Sequence, residues 1–121
     1  MNYPKVMVCD DHQSILDVVQ LMLESSGFEV ITEVDSTKLI SRIKKSNPDI
    51  LLLDLWMPSL SGEEILKLIR TDDEIVNLPV IVLSASANGD DIAKDAGADS
   101  FVPKPFDMDD LIGKIRHLTS N

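Results

Sequence analysis

The chain of 121 residues has one cysteine, Cys9, which excludes a disulfide framework. It has no apolar run near the roughly 20 residues that a membrane-spanning helix needs. No apolar stretch precedes the first strand-like segment, so nothing reads as a signal peptide. Together these absences favour a cytoplasmic setting without membrane insertion. Basic residues are scarce: 11 Lys and Arg stand against 21 Asp and Glu, a net charge of −10. Direct binding to nucleic acid needs Lys or Arg to neutralise phosphates, so this balance disfavours it. Neither G-x-x-x-x-G-K-[ST] nor G-x-G-x-x-G occurs, which argues against a nucleotide-binding module. Repeats, low-complexity tracts and linkers are absent as well.

What is present is a regular alternation of apolar strand-like runs and helix-period segments. Strands are expected at Lys5 to Cys9, Glu29 to Val34, Ile50 to Leu53, Val80 to Leu83 and Ser100 to Val102. The first helix should turn Ile15, Val18, Val19, Met22 and Leu23 inward and stop at Gly27. The second should run from about Ser36 to Lys45, with Leu39, Ile40 and Ile43 inward, and stop at Asn47-Pro48. The third follows Gly62, buries Ile65, Leu66 and Ile69, and ends near Asp72. The fourth, between Ser84 and Gly97, has Ile92 as its only large apolar side chain; it should be short, loosely anchored and mobile. The last carries Met108, Leu111, Ile112 and Ile115, with Asp107 as its cap. Such alternation implies an α/β fold: a flavodoxin-like, doubly wound, five-stranded parallel sheet in the order 2-1-3-4-5, with helices on both faces. The elements use up residues 1–121, so a single domain without an output domain is expected.

Two of the apolar runs end in acids. Val6-Met7-Val8-Cys9 leads into Asp10-Asp11, and Ile50-Leu51-Leu52-Leu53 into Asp54. In the order 2-1-3-4-5 these strands are neighbours, so the three carboxylates converge at the rim where open α/β sheets bind ligands. Crowded carboxylates repel and take up protons unless a cation sits among them. Carboxylates, backbone carbonyls and water are what a hard divalent cation such as Mg²⁺ prefers. Ser84 ends the fourth strand and Lys104 follows the fifth, so both should reach the same rim. A cation, a hydroxyl and a metal around one nucleophilic carboxylate suit phosphoryl transfer. His12, beside the acid pair, reads as an exposed helix-start residue.

These positions, read jointly, resemble the receiver domain of two-component response regulators, and the single-domain chemotaxis type in particular. The matching residues are Asp10-Asp11, Asp54-Leu55-Trp56-Met57-Pro58 with Gly62, Ser84-Ala85, Gly97-Ala98-Asp99 and Lys104-Pro105-Phe106. The resemblance implies that Asp54 accepts a phosphoryl group from a histidine kinase or phosphotransfer protein. It implies that Asp11, Asp54 and the Trp56 carbonyl hold Mg²⁺, with Asp10 acting through water. Lys104, the Ser84 hydroxyl and the Ala85 N–H would hold the phosphoryl oxygens, and the Lys104–Pro105 bond would be cis. Phe101 takes the switch-aromatic position, so helix four, strand five and helix five would form the face that signals to a downstream protein. A phosphorylation-dependent dimer is one form open to such a switch, which is not an enzyme in the ordinary sense. Serine stands at position 84 where threonine is commoner, phenylalanine at 101 where tyrosine is frequent, and the segment between Ser84 and Lys104 is short. Two alternatives remain: a receiver excised from a longer transcriptional regulator or hybrid kinase, and, more remotely, a Mg²⁺-dependent phosphatase of the same fold. The phosphatase usually has a second acid two residues after its nucleophile, where this chain has Trp56.

Overall fold

In a computed structural model that describes residues 3–86 and 88–120, the alternation becomes a three-layer α/β fold. The strands are β1 (Lys5–Cys9), β2 (Glu29–Glu33), β3 (Ile50–Asp54), β4 (Val80–Ser84) and β5 (Ser100–Pro103). The helices are α1 (Gln13–Ser25), α2 (Leu39–Ser46), α3 (Gly62–Arg70), α4 (Gly89–Ala96) and α5 (Met108–Thr119). All strand pairs are parallel, and the order is β2-β1-β3-β4-β5, as expected of a flavodoxin-like sheet.

Every residue of β3 and of β4 is buried, which is why both read as unbroken apolar runs. Side chains alternate between the two faces. Val8, Leu52 and Leu83 pack with α1 and α5 on one side, while Met7, Leu53 and Val82 pack with α2, α3 and α4 on the other. Each fully buried leucine or valine contributes about 1.5–3 kcal/mol to holding this sandwich. Among the described residues no helix is long and apolar enough to cross a membrane.

Some elements depart from the expected pattern. In α1 the buried residues are Leu16, Val19 and Leu23, whereas Val18 and Met22 are exposed. The helix is rotated relative to the expected stripe, because apolar side chains lie on nearly every side of Ile15 to Leu23 and periodicity alone cannot set the phase. Strand β2 stops at Glu33, and Val34 is exposed. The second helical segment is split: Asp35 accepts the Thr37 N–H and winds Ser36–Lys38 into a 3-10 turn before α2 begins. It ends where expected, with Asn47 in the left-handed region. Helix α4 is short, as its sequence suggested, but it buries Gly89, Ala93 and Ala96, with Ile92 only partly covered. Asp107 caps α5 by accepting the Asp109 N–H.

One side chain ties several elements together at the rim opposite the acids. Arg70, the last residue of α3, donates to the carbonyls of Gly97, Val76 and Leu78 and to the Asp99 carboxylate. Asp99 also accepts the Val80 N–H, so the start of β4 and the end of α4 share one fixed point.

Candidate functional site

Register brings the acids together. Cys9 of β1 lies beside Leu53 of β3, so the next residues, Asp10 and Asp54, leave the sheet side by side. Both are buried, and Asp11 is partly so. Ligand atoms of Asp10, Asp11, His12 and Asp54 all lie within 4.8 Å of one another. Lys104 reaches into this group: its Nζ is 3.0 Å from Asp10 Oδ2 and 3.2 Å from Asp54 Oδ1. The loop that delivers it is pinned by the Lys104 N–H donating to the Ser84 carbonyl at 2.8 Å, and the Lys104–Pro105 bond is cis.

Three carboxylates thus face one ammonium. Burial first, and then the Asp10 charge, raise the Asp54 carboxyl above its ordinary range, against the pull of Lys104. Burial also works against the Lys104 charge, but the Asp10 hydrogen bond and the Asp54 charge outweigh it and hold the ammonium above its usual value.

The acids are not equally engaged. Asp10 Oδ1 accepts from the His12 N–H at 3.0 Å, lies 3.1 Å from His12 Nδ1, and its Oδ2 takes Lys104. Asp54 meets Lys104 through Oδ1 alone; among the described residues no donor reaches its Oδ2. Asp11 Oδ1 is buried without a hydrogen bond; His12 Nδ1 lies 3.2 Å away, close but not in hydrogen-bond geometry. A buried, unpartnered carboxylate oxygen within an all-oxygen acid set fits a hard divalent cation, so these residues could hold one.

The remaining predicted residues sit around this core. Ser84 is buried at the end of β4 and accepts the Ser86 N–H at 3.0 Å, while Ala85 beside it is exposed. Trp56, two residues past Asp54, is 54% exposed. Phe101 stands beside Val82 on β5, half-buried against the face that α2, α3 and α4 cover. His12 is exposed at the start of α1, as expected, and its Nδ1 lies 3.1 Å from Asp10 Oδ1 and 3.2 Å from Asp11 Oδ1.

The sequence reading missed how tightly the start of α3 backs this site. Gly62 donates its N–H to the Leu55 carbonyl at 2.9 Å. A side chain on Gly62 would collide with the Asp54 carbonyl oxygen and stand 2.8 Å from Leu55 Cα. Ser61 and Glu64 form a reciprocal capping box that fixes this helix start, and Ser-x-x-Glu is a pattern legible in sequence. Cys9, just beneath the acids, is fully buried. Burial, and then the charges of Glu33, Asp10 and Asp54, push its thiol up to about 12.

The response regulator receiver domain family matches residues 6–116. The chain is 36% identical over 117 residues to the transcriptional regulatory protein PrrA of Mycobacterium tuberculosis, covering 95% of this chain and 49% of PrrA. It is 34% identical over 114 residues to protein PilG of Pseudomonas aeruginosa, covering 93% of this chain and 84% of PilG. The chemotaxis protein CheY4 of Vibrio cholerae superposes with a TM-score of 0.87 at 27% identity, covering 97% of this chain and 99% of CheY4. The chain spans about half the length of the first curated relatives it matches.

Proposed function

This chain belongs to the response regulator receiver family, and on that footing we propose that Asp54 is its phosphoacceptor. The observation that carries the assignment is the unequal engagement of the acids: both Asp10 oxygens are in use, while Asp54 Oδ2 has no donor among the described residues. Of the two buried rim acids, Asp10 and Asp54, only Asp54 thus has an oxygen left to attack. Asp11, whose Oδ1 is also unpartnered, is only partly buried and belongs to the proposed cation site.

In the transfer, Asp54 Oδ2 forms a bond to phosphorus as the bond from phosphorus to the donor breaks. The donor is a phosphohistidine of a histidine kinase or phosphotransfer protein, or a small acyl phosphate, and the leaving group keeps the bonding electrons. The Lys104 ammonium moves its hydrogen bond from a carboxylate to a phosphoryl oxygen. The Ser84 hydroxyl, which already accepts from Ser86, donates its own proton to a second oxygen, and the Ala85 N–H supplies a further donor. Asp11, Asp54 and the Trp56 carbonyl would hold Mg²⁺ directly, with Asp10 through water; when bound, the ion neutralises charge that builds on the phosphoryl oxygens.

The phosphoryl group adds roughly −1.5 to −2 charge at neutral pH. Drawing in Lys104 and Ser84 shifts the loop after β4 and biases Phe101 further toward its inward position, so that α4, β5 and α5 present a changed face to a downstream protein. The same reading makes residues 1–121 one receiver unit working in the cytoplasm. The partial coverage of PrrA keeps a second reading in view, in which this unit governs an output domain of a longer regulator. The length of the gene separates the two. Labelling by acetyl phosphate tests the acceptor itself.

The metal assignment has its own test. Trp56 is the only tryptophan, and its carbonyl belongs to the proposed cation site. Adding Mg²⁺ will change its fluorescence in the wild type, and Asp11→Ala will remove that response. A response that survives in Asp11→Ala means Asp11 is not a direct ligand.

A further inference from the structure

Gly89 is an odd residue to open α4. Glycine is the poorest ordinary helix former, and its φ here lies outside the left-handed region, so the backbone does not require it. Space does. A Cβ on Gly89 would stand 3.0 Å from Phe101 Cε1, 3.0 Å from Ser84 Oγ and 3.1 Å from Ser84 Cβ. The helix start, the proposed switch hydroxyl and the ring edge therefore meet at one point, and that point is kept empty by the missing side chain.

The two neighbours are not equally able to give way. Ser84 is buried in a central strand, with its hydroxyl fixed by the Ser86 N–H. Phe101 is half-buried on the edge strand β5 and can rotate outward. A methyl group at position 89 would thus displace the ring rather than the serine. We propose that Gly89 is a positioning residue: it reserves the space in which the Phe101 ring lies inward beside Ser84 and α4, so the inward ring is populated before any phosphoryl group arrives. This deepens the switch reading above and rests on it. It also gives a reason for the brevity of the segment between Ser84 and Lys104, where α4 starts close against the strand ends.

The test uses the full chain labelled with 4-fluorophenylalanine, read by fluorine NMR with and without beryllofluoride. Of the three phenylalanine signals, that of Phe101 is assigned by its loss in Phe101→Leu. In unliganded wild type the Phe101 signal should resist broadening by a soluble paramagnetic agent. In Gly89→Ala it should become sensitive to the agent and shift, while Phe28 and Phe106 stay in place. Beryllofluoride affinity should fall roughly tenfold, because the competent ring state becomes the minor one. In a Phe101→Ala background, Gly89→Ala should leave that affinity unchanged. A Phe101 signal already exposed in the wild type, or unmoved in Gly89→Ala, overturns the proposal, and the wild-type arm decides even if the variant folds poorly. Equal loss of affinity in both backgrounds overturns it too, since the methyl would then act through Ser84 alone. Beryllofluoride binding that persists in Asp54→Asn instead defeats the phosphoacceptor reading, and the comparison of unliganded proteins still stands.

Discussion

Asp54→Asn will take up no phosphoryl group from acetyl phosphate, whereas the wild type will take one, stable in acid and labile in base as an acyl phosphate is. The loss should be complete rather than partial. The amide oxygen is a far weaker nucleophile, both Asp10 oxygens are held by His12 and Lys104, and Asp11 is assigned to the cation, so neither neighbour substitutes. The fold should survive. Lys104 keeps its 3.0 Å contact with Asp10 when the Asp54 charge is gone. Without divalent cations the variant should in fact be more stable than the wild type at neutral pH. Folding raises the Asp54 carboxyl, chiefly by burial, so the folded state binds this proton more tightly than the unfolded chain. An ionised Asp54 therefore costs stability above the ordinary carboxylate range, and that cost disappears as pH falls below it. Thermal melts of both proteins should show a gap at neutral pH that closes on acidification. A label retained by Asp54→Asn would move the acceptor elsewhere, and a gap of the opposite sign would mean that pairing with Lys104 outweighs burial.

The second large effect belongs to a residue without chemistry. Gly62→Ala places a methyl group against the Asp54 carbonyl and Leu55 Cα, which are backbone and cannot swing aside. Either β3 bends at its end or the first turn of α3 lifts off it. Lifting breaks the Gly62–Leu55 hydrogen bond and uncovers Ile65 and Leu66, both fully buried. A loss of about 3 kcal/mol or more follows, at the severe end for a single substitution. Urea denaturation will show it as a lowered midpoint. Phosphorylation by acetyl phosphate should fall with it even where the variant remains folded, because the displaced backbone is that of the proposed acceptor. A midpoint equal to the wild type would mean that α3 can retreat freely.

These two positions mark what the sequence could and could not show. Asp54 was legible because chemistry and pattern coincide: an acid closing a buried run is costly unless it has a use. The order of the strands was legible for the same reason, since runs such as Ile50 to Leu53 fit only the middle of a covered parallel sheet. The phase of α1 was not. Leu16 and Met22 are both apolar and both fit a helical period; which one faces β1 depends on how the chain leaves Asp10, and His12 bonding back to that acid is a three-dimensional event. Gly62 and Gly89 were legible as a turn and as a weak point in a helix, not as gaps held open against Asp54 and against Phe101. A clearance between elements leaves no trace in hydropathy. Asp35, by contrast, carried a signal that went unused: an acid two residues before a threonine, at a strand end, commonly winds a tight turn.

The Arg70 clasp makes α4 a lever. Its far end is held at Gly97, where the guanidinium grips the carbonyl and the side-chain stem lies where any Cβ on that glycine would fall. Its near end has no side-chain cap and rests on the clearance between Ser84 and Phe101. On the proposed switch, displacement at the loop after β4 would become rotation about a fulcrum at Gly97, with travel growing along the helix away from it. The greatest sweep would then fall on Asp90 and Asp91 in its first turn, so a partner seated on this face would meet a shift of negative charge as much as a change of shape. Amide exchange along α4 should be fastest at its uncapped start and slowest toward Ala96; uniform protection would mean that its start is held as firmly as its end.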